Sequence, residues 1–303
     1  MQSDVDLIRQ IARDTGMLPG HLASLMRTAP LRYKVFFIEK KSGGLREVAQ
    51  PAREVKAVQR WLVRYLTPHL PVHEAATAYR VGASIRDNAA RHASSRYMLK
   101  LDFTNFFPSI VRSDISAHLE RHCGQIFDAS ARLLIAHVCC WARKRHPPLR
   151  LCLGAPSSPI MSNTMMFEFD SRLTSLAEAD GVTYSRYADD LTLSTDQPRV
   201  LDRYVLLVRQ LLGELSYPSV QLNDAKTVFA SRAGKRTVTG LVITPDGSVS
   251  VGRDRKRLIR SMYHRSMLGQ LSSGETQELL GLIAFVDSIE PGFSQRLKTS
   301  GQP

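Results

Sequence analysis

The chain has 303 residues, 43% of them hydrophobic, with 41 Lys+Arg against 28 Asp+Glu and a formal net charge of +13. Ordinary apolar content excludes global disorder, and no run approaches the roughly 20 apolar residues of a membrane-spanning helix. The positive balance calls for an anionic partner, nucleic acid first.

Residues 1–30 read as short helices broken at Gly16, Pro19-Gly20 and Pro30. Tyr33–Ile38 and Leu45–Ala49 form a hairpin around Ser42-Gly43-Gly44, with Lys40 and Lys41 entering the turn and Arg46 leaving it. After Pro51 an amphipathic helix carries a stripe of Val55, Val58, Leu62, Tyr65 and Leu66 and stops at Pro68. From Tyr97 the period becomes two. Tyr97, Leu99, Leu101 and Phe103 alternate with Met98, Lys100 and Asp102, which predicts a strand buried on one face with Asp102 on the open one. A helical block follows from Ser113 to about Trp141. Ser158 and Pro159 read as N-cap and first residue of a helix ending at Asp180-Gly181.

Val182–Tyr187 and Leu191–Ser194 flank Ala188-Asp189-Asp190, a hairpin with an acidic tip. A further helix carries Leu201, Tyr204, Val205, Val208, Leu211, Leu212 and Leu215. Thr237–Thr244 and Ser248–Val251 surround the turn Pro245-Asp246-Gly247, and beyond Gly252 the chain is basic and helical. An antiparallel sheet with helices on one face satisfies this order and leaves the face of Asp102 open. The four cysteines, Cys123, Cys139, Cys140 and Cys152, lack CxxC spacing, and Met1–Thr15 has no signal-peptide core, so reduced thiols and a cytoplasmic setting are expected.

If the strand of Asp102 neighbours the hairpin of Asp189 and Asp190, three carboxylates converge. Each like-charge contact at ~4 Å costs on the order of 1–4 kcal/mol near a surface, which a divalent cation converts into a ligand set. Two such ions activate an attacking hydroxyl and stabilise a leaving pyrophosphate. An isolated Asp-Asp more often only solvates a turn, so the surrounding motifs decide the matter.

Tyr187-Ala188-Asp189-Asp190 resembles the catalytic signature of reverse transcriptases, Leu101–Pro108 their preceding carboxylate motif, and Gly154–Pro159 their template- and nucleotide-contacting loop. The three stand in the family's order, and the likeness covers roughly residues 30–250. Asn88-Ala89-Ala90-Arg91-His92 and Val238-Thr239-Gly240 are similar to the NAxxH and VTG signatures of bacterial retron reverse transcriptases. The resemblance implies an α+β right-hand polymerase fold: N-terminal helices and fingers (1–96), a palm with a ferredoxin-like antiparallel sheet (97–251, helical insertion about 113–150) and a helical thumb (252–303). It implies DNA synthesis from dNTPs on a dedicated structured RNA, primed by a guanosine 2′-hydroxyl to give branched RNA–DNA, and an effector protein partner in defence against phage.

Carried over residue by residue, the likeness makes Asp102, Asp189 and the Phe103 carbonyl ligands of two Mg²⁺ ions (Mn²⁺ as substitute), with Asp190 a less direct carboxylate. Phe107 becomes the gate against a ribose 2′-hydroxyl. Lys40 and Arg46 become triphosphate ligands, Gly154 and Ala155 nucleotide contacts, and Lys226 a proton donor to pyrophosphate. Asn88, His92, Thr239 and Gly240 are placed toward RNA, as are Arg253, Arg255, Lys256 and Arg257 of the basic C-terminal run. Their bland readings are core packing for Phe107, a solvated hairpin tip for Lys40 and Arg46, and a structural hydrogen bond for His92. One departure stands out: Cys152-Leu153 replaces the Pro-Gln that usually precedes the glycine of the loop, removing an amide at the template. Cys152 itself reads as a small loop filler.

Two rivals remain. A group II intron or diversity-generating reverse transcriptase would share the motifs, although the roughly 50 residues after Val251 suit a thumb and not a further maturase or endonuclease domain. A non-catalytic RNA-holding scaffold on the same fold would not need Asp102, Asp189 and Asp190 intact.

Overall fold

The computed structural model describes residues 1–39 and 43–300. Helix α1 (Asp4–Thr15) starts with Ser3 and Asp6 closing a capping box and ends at Gly16, which takes the left-handed conformation (φ 71°). Helix α2 (Pro19–Thr28) leads to the hairpin β1 (Tyr33–Glu39) and β2 (Leu45–Pro51). In α3 (Arg53–Leu66), Val55, Val58, Leu62 and Leu66 are buried as the stripe requires, and Tyr65 stacks on Trp61. Next come α4 (Ile85–Arg91), β3 (Tyr97–Asp102) and the single turn α5 (Phe106–Ser109).

The expected helical block 113–141 is two helices, α6 (Arg112–Cys123) and α7 (Ala129–Cys139), because Asp128 caps a new start by accepting from the Ala131 N–H. The helix expected from Ser158 is also two, α8 (Ser158–Met165) and α9 (Phe167–Ala179); Ser157 is its N-cap and Ser158 already helical. Strands β4 (Thr183–Tyr187) and β5 (Asp190–Thr195), helix α10 (Tyr204–Glu214) and strand β6 (Val228–Ser231) follow. The strand expected over 237–244 folds back on itself as β7 (Arg236–Val238) and β8 (Leu241–Ile243), with β9 (Val249–Ser250) beside β8. The reason is Thr239-Gly240: both take positive φ (49° and 79°), the requirement of a two-residue hairpin turn. Helices α11 (Arg253–Met267), α12 (Ser273–Ile289) and α13 (Phe293–Ser300) complete the chain.

The central sheet is antiparallel in the order β4-β5-β3-β6. Its strand β3 is covered on both faces, contrary to the one-sided burial its alternation implied. Leu99 and Leu101 enter a large core shared with α1–α3, α6, α7, α9 and α10, while Met98 enters a second core with Ala89 of α4, the β7–β9 sheet and α11–α13. The larger core draws on residues from Leu7 to Val220 and the second on residues from Ala89 to Leu297. Asp102 stands at the end of β3, between Leu101 and Phe103 of the larger core. Among the described residues no helix is long and apolar enough to cross a membrane.

Candidate active site

Pairing of β3 with β5 sets Asp102 opposite Asp190. Pairing of β4 with β5 sets Tyr187 opposite Asp190, so Ala188 and Asp189 form a two-residue turn. The Phe103 N–H donates to the Asp189 carbonyl at 3.0 Å, locking that turn to the end of β3. Ala188 holds φ at 56°, a left-handed conformation costing a non-glycine residue about 1–2 kcal/mol and maintained only where the surroundings impose it.

The carboxylates are crowded. Asp189 is held above the ordinary carboxylate range by burial and by the charge of Asp102, opposed by Lys226 and Arg46. Asp190 is pushed up to about 6, first by burial and then by the charges of Asp189 and Asp102. Asp102, itself only 6% exposed, receives the Lys226 ammonium on both oxygens, Oδ1 at 2.8 Å and Oδ2 at 2.9 Å. Among the described residues no group of three or more His, Cys, Asp or Glu side chains is arranged to hold a metal ion. Open sites suit Mg²⁺, which takes one or two carboxylates and completes its shell with water and phosphate oxygens. Hard oxygen donors, mutual repulsion and an ammonium already seated as a stand-in cation fit a divalent ion here.

Arg46 lies on β2 opposite Ile38, exposed, and its charge reaches both Asp189 and Tyr79. Lys40 lies outside the described residues. Phe107 is half-buried and packs on Phe106, whose ring stacks at 5.5 Å on that of Phe103. Gly154 (φ 110°) is pressed against β2: a Cβ there would stand 2.9 Å from both the Ala49 carbonyl oxygen and Val48 Cγ1. Ala155 is buried with Ala49, Trp141 and Cys152, so any nucleotide contact from it must come through backbone. Burial pushes the Cys152 thiol up to about 12, which leaves it an inert filler bonded to the Ala49 carbonyl.

The residues placed toward RNA divide. His92 and Asn88 are both buried, His92 completely. Its Nδ1 and Nε2 each lie 2.8 Å from a hydroxyl, of Ser194 and Ser185, so the ring pins α4 beneath β4 and β5 and has no nitrogen left for a ligand. Thr239 is half-buried and its hydroxyl donates to the Ile85 carbonyl, the first residue of α4; Gly240 is exposed. The two signatures thus meet, across about 150 residues of sequence, in the second core. On α11, Arg253 and Arg257 are exposed, whereas Lys256 is held by Glu290 (2.8 Å) and the Arg255 guanidinium covers the Phe285 ring. Those last two are thereby engaged in packing among the C-terminal helices.

Sequence reasoning passed over Arg186, which donates to the Ala188 carbonyl at 3.0 Å from beneath the turn. The available signal was a charge two residues after Tyr184, on the same face of β4, matched by Asp170 within the apolar stripe of α9. It also passed over Tyr79, half-exposed beside Tyr187 and Asp189.

A β-hairpin presenting paired aspartates beside a third on the neighbouring strand, in a sheet backed by helices and flanked by a basic hairpin, defines the palm of a nucleotidyl-transferring polymerase. Residues 38–260 match the reverse transcriptase (RNA-dependent DNA polymerase) family. The chain is 40% identical over 277 residues to the retron Ec83 reverse transcriptase of Escherichia coli, covering 90% of this chain and 88% of that one. It is 30% identical over 315 residues to the retron Mx65 reverse transcriptase of Myxococcus xanthus, covering 100% and 72%. The fold is similar to that of apo telomerase from Candida tropicalis, with a TM-score of 0.52 at 13% identity, over 89% of this chain and 59% of that one; the chain thus spans little more than half of the telomerase. The protein belongs to the bacterial retron reverse transcriptases and is an RNA-directed DNA polymerase.

Proposed function

We propose that this reverse transcriptase copies a dedicated structured RNA, priming from a guanosine 2′-hydroxyl of that RNA to yield branched RNA–DNA, and that it works with an effector protein in cytoplasmic defence against phage. The observation that carries the catalytic part is the meeting of Asp102 with the Ala188-Asp189 turn, with Lys226 seated on Asp102. Asp102, Asp189 and the Phe103 carbonyl are the groups to hold two Mg²⁺, or Mn²⁺; when bound, the ions supply a more acidic attacking hydroxyl and a neutralised pyrophosphate.

The chain's own residues do the rest. Arg46, with Lys40, grips the triphosphate, Arg offering a two-pronged donor fork and Lys a point charge. Lys226 leaves Asp102 for the leaving phosphate, to which it gives a proton. Phe107 closes the space beside the sugar C2′, and the Gly154-Ala155 backbone borders the base. Asp190 stays behind Asp189, its burial and neighbours making it the poorer ligand. Exposed Arg253 and Arg257 suit the phosphates of the duplex product. Residues 1–96 act as fingers, 97–251 as palm and 252–303 as thumb.

The test is sequencing of nucleic acid that copurifies with the protein expressed beside its neighbouring non-coding RNA. A short single-stranded DNA joined 2′–5′ to RNA, absent from the Asp189→Asn/Asp190→Asn variant, is the expected result. Unbranched DNA, or branched DNA from the variant, would contradict it.

A further inference from the structure

Arg186 lies on β4, one residue before Tyr187, and is fully buried. Its Nε donates to Asp170 Oδ1 at 2.9 Å and its Nη2 to Asp170 Oδ2 at 2.6 Å, a two-pronged pair with α9. The Tyr184 hydroxyl donates to the same Oδ1 at 2.7 Å. The remaining nitrogen, Nη1, donates to the Ala188 carbonyl at 3.0 Å and to Asn163 Oδ1 on α8 at 3.3 Å. Asn163 Nδ2 passes the connection on to the Ala78 carbonyl at 2.8 Å. The backbone of Arg186 is tied to the same segment: its N–H donates to the Ala75 carbonyl and its carbonyl accepts from the Thr77 N–H.

Burying an ion pair is a poor way to gain stability, since a well-packed apolar pair of the same volume commonly does as well or better. An apolar pair cannot, however, hold a carbonyl. The carbonyl held here belongs to Ala188, the left-handed residue on whose conformation the direction of Asp189 depends. One rigid, planar fork therefore joins the turn, α8, α9 and the segment that brings Tyr79 beside Tyr187.

We propose that Arg186, oriented by Asp170, is the positioning residue of the active site, fixing the Ala188-Asp189 turn so that Asp189 faces Asp102. The inference rests on the reading of Asp102 and Asp189 as the metal-holding pair. It assigns Arg186 no contact with substrate, so its loss disturbs metal binding and turnover more than nucleotide binding.

The experiment compares full-length Arg186→Lys, the charge-free double variant Arg186→Met/Asp170→Leu, and Asp189→Asn as reference. Thermal unfolding reports the fold, hydrogen exchange of peptides spanning 186–191 reports the turn, Mn²⁺ titration by electron paramagnetic resonance reports the site without turnover, and primed-template kinetics separate kcat from KM. For the double variant the expectation is an unfolding midpoint near that of the parent, faster exchange confined to the turn, about tenfold weaker Mn²⁺ binding, and kcat reduced about 10–100-fold with little change in nucleotide KM. Arg186→Lys keeps the charge without the fork, gives the same pattern in smaller degree, and carries the test should the double variant not fold. Parental turn exchange and Mn²⁺ affinity in folded variants would overturn the inference, as would an activity loss that only follows the unfolded fraction. If Asp189→Asn abolishes Mn²⁺ binding while both Arg186 variants retain it, the metal site stands and only the role of Arg186 falls. If Asp189→Asn binds Mn²⁺ as the parent does, the metal assignment falls, and this inference with it.

Discussion

Two hairpins of this molecule use one backbone device for opposite ends. Each turns in two residues, Ala188-Asp189 between β4 and β5 and Thr239-Gly240 between β7 and β8, and each holds a non-glycine residue at positive φ. At Thr239-Gly240 the surroundings are satisfied: the threonine hydroxyl docks on α4, Val238 and Leu241 are buried, and the hairpin joins the β7–β9 sheet to the C-terminal helices. At Ala188-Asp189 they are not satisfied. Asp189 is raised by burial and by Asp102, Asp190 by burial and then by Asp189 and Asp102, and a lysine from a distant turn covers part of the charge. A motif can therefore mark chemistry or assembly, and the unrelieved charge tells the two apart.

Removing a charge at the first hairpin should strike activity and spare the fold. Asp189→Asn should lower DNA synthesis on the order of 10³-fold or more, the several kcal/mol that metal-held charge stabilisation supplies, with an unfolding midpoint equal to or above the parent's because repulsion is relieved. Primer-extension rates and calorimetry check both halves. The reverse is expected at His92, which joins the end of α4, where the second hairpin docks, to β4 and β5. His92→Ala leaves the Ser185 and Ser194 hydroxyls without their partner and opens a cavity, a loss of about 2–4 kcal/mol in urea unfolding, with the rate per folded molecule retained.

Phe107→Val should let ribonucleotides in, reducing sugar discrimination about 10–100-fold in single-nucleotide addition, without an effect on stability comparable to that of His92→Ala. Unchanged discrimination would return Phe107 to plain packing. Acid should act on stability through two buried histidines. His92 and His118 are each pushed down to about 3 by burial, so between pH 6.5 and 3 the unfolded chain binds protons that the folded chain refuses. Stability is then fully present above about pH 6.5 and falls below it, by up to about 1.4 kcal/mol per pH unit for each histidine. Chemical denaturation from pH 7 to 5 checks this, and the slope should flatten in His92→Gln. The smallest effect belongs to Gly240→Ala, about 1 kcal/mol for a Cβ at φ 79° with open space around it.

The sequence carried most of what local chemistry controls. The stripe of α3, the β1–β2 hairpin and the acidic turn at 188–190 follow from periodicity and turn residues. The meeting of Asp102 with Asp189 was expected from the ordered motifs. What periodicity could not carry is the second side of β3, because Met98 alternates with the core-facing residues and is covered by α4 together with elements far along the chain. The fold-back at Thr239-Gly240 was hidden because Thr237–Thr244 is β-prone throughout. The partners of His92 and Arg186 were hidden for one reason: a polar side chain in a sequence reads as surface, and only the fold reveals that Ser185 and Ser194, or Asp170, wait for it in the interior.

Under the proposed function, Asp102 and Asp189 jointly hold a divalent ion once Lys226 withdraws. Anomalous diffraction from crystals of the protein with primed template, a non-reactive dNTP and Mn²⁺ tests it most directly. The account predicts Mn²⁺ in contact with carboxylate oxygens of both residues and Lys226 displaced toward the triphosphate. Mn²⁺ bound elsewhere, with Lys226 still on Asp102, would contradict it.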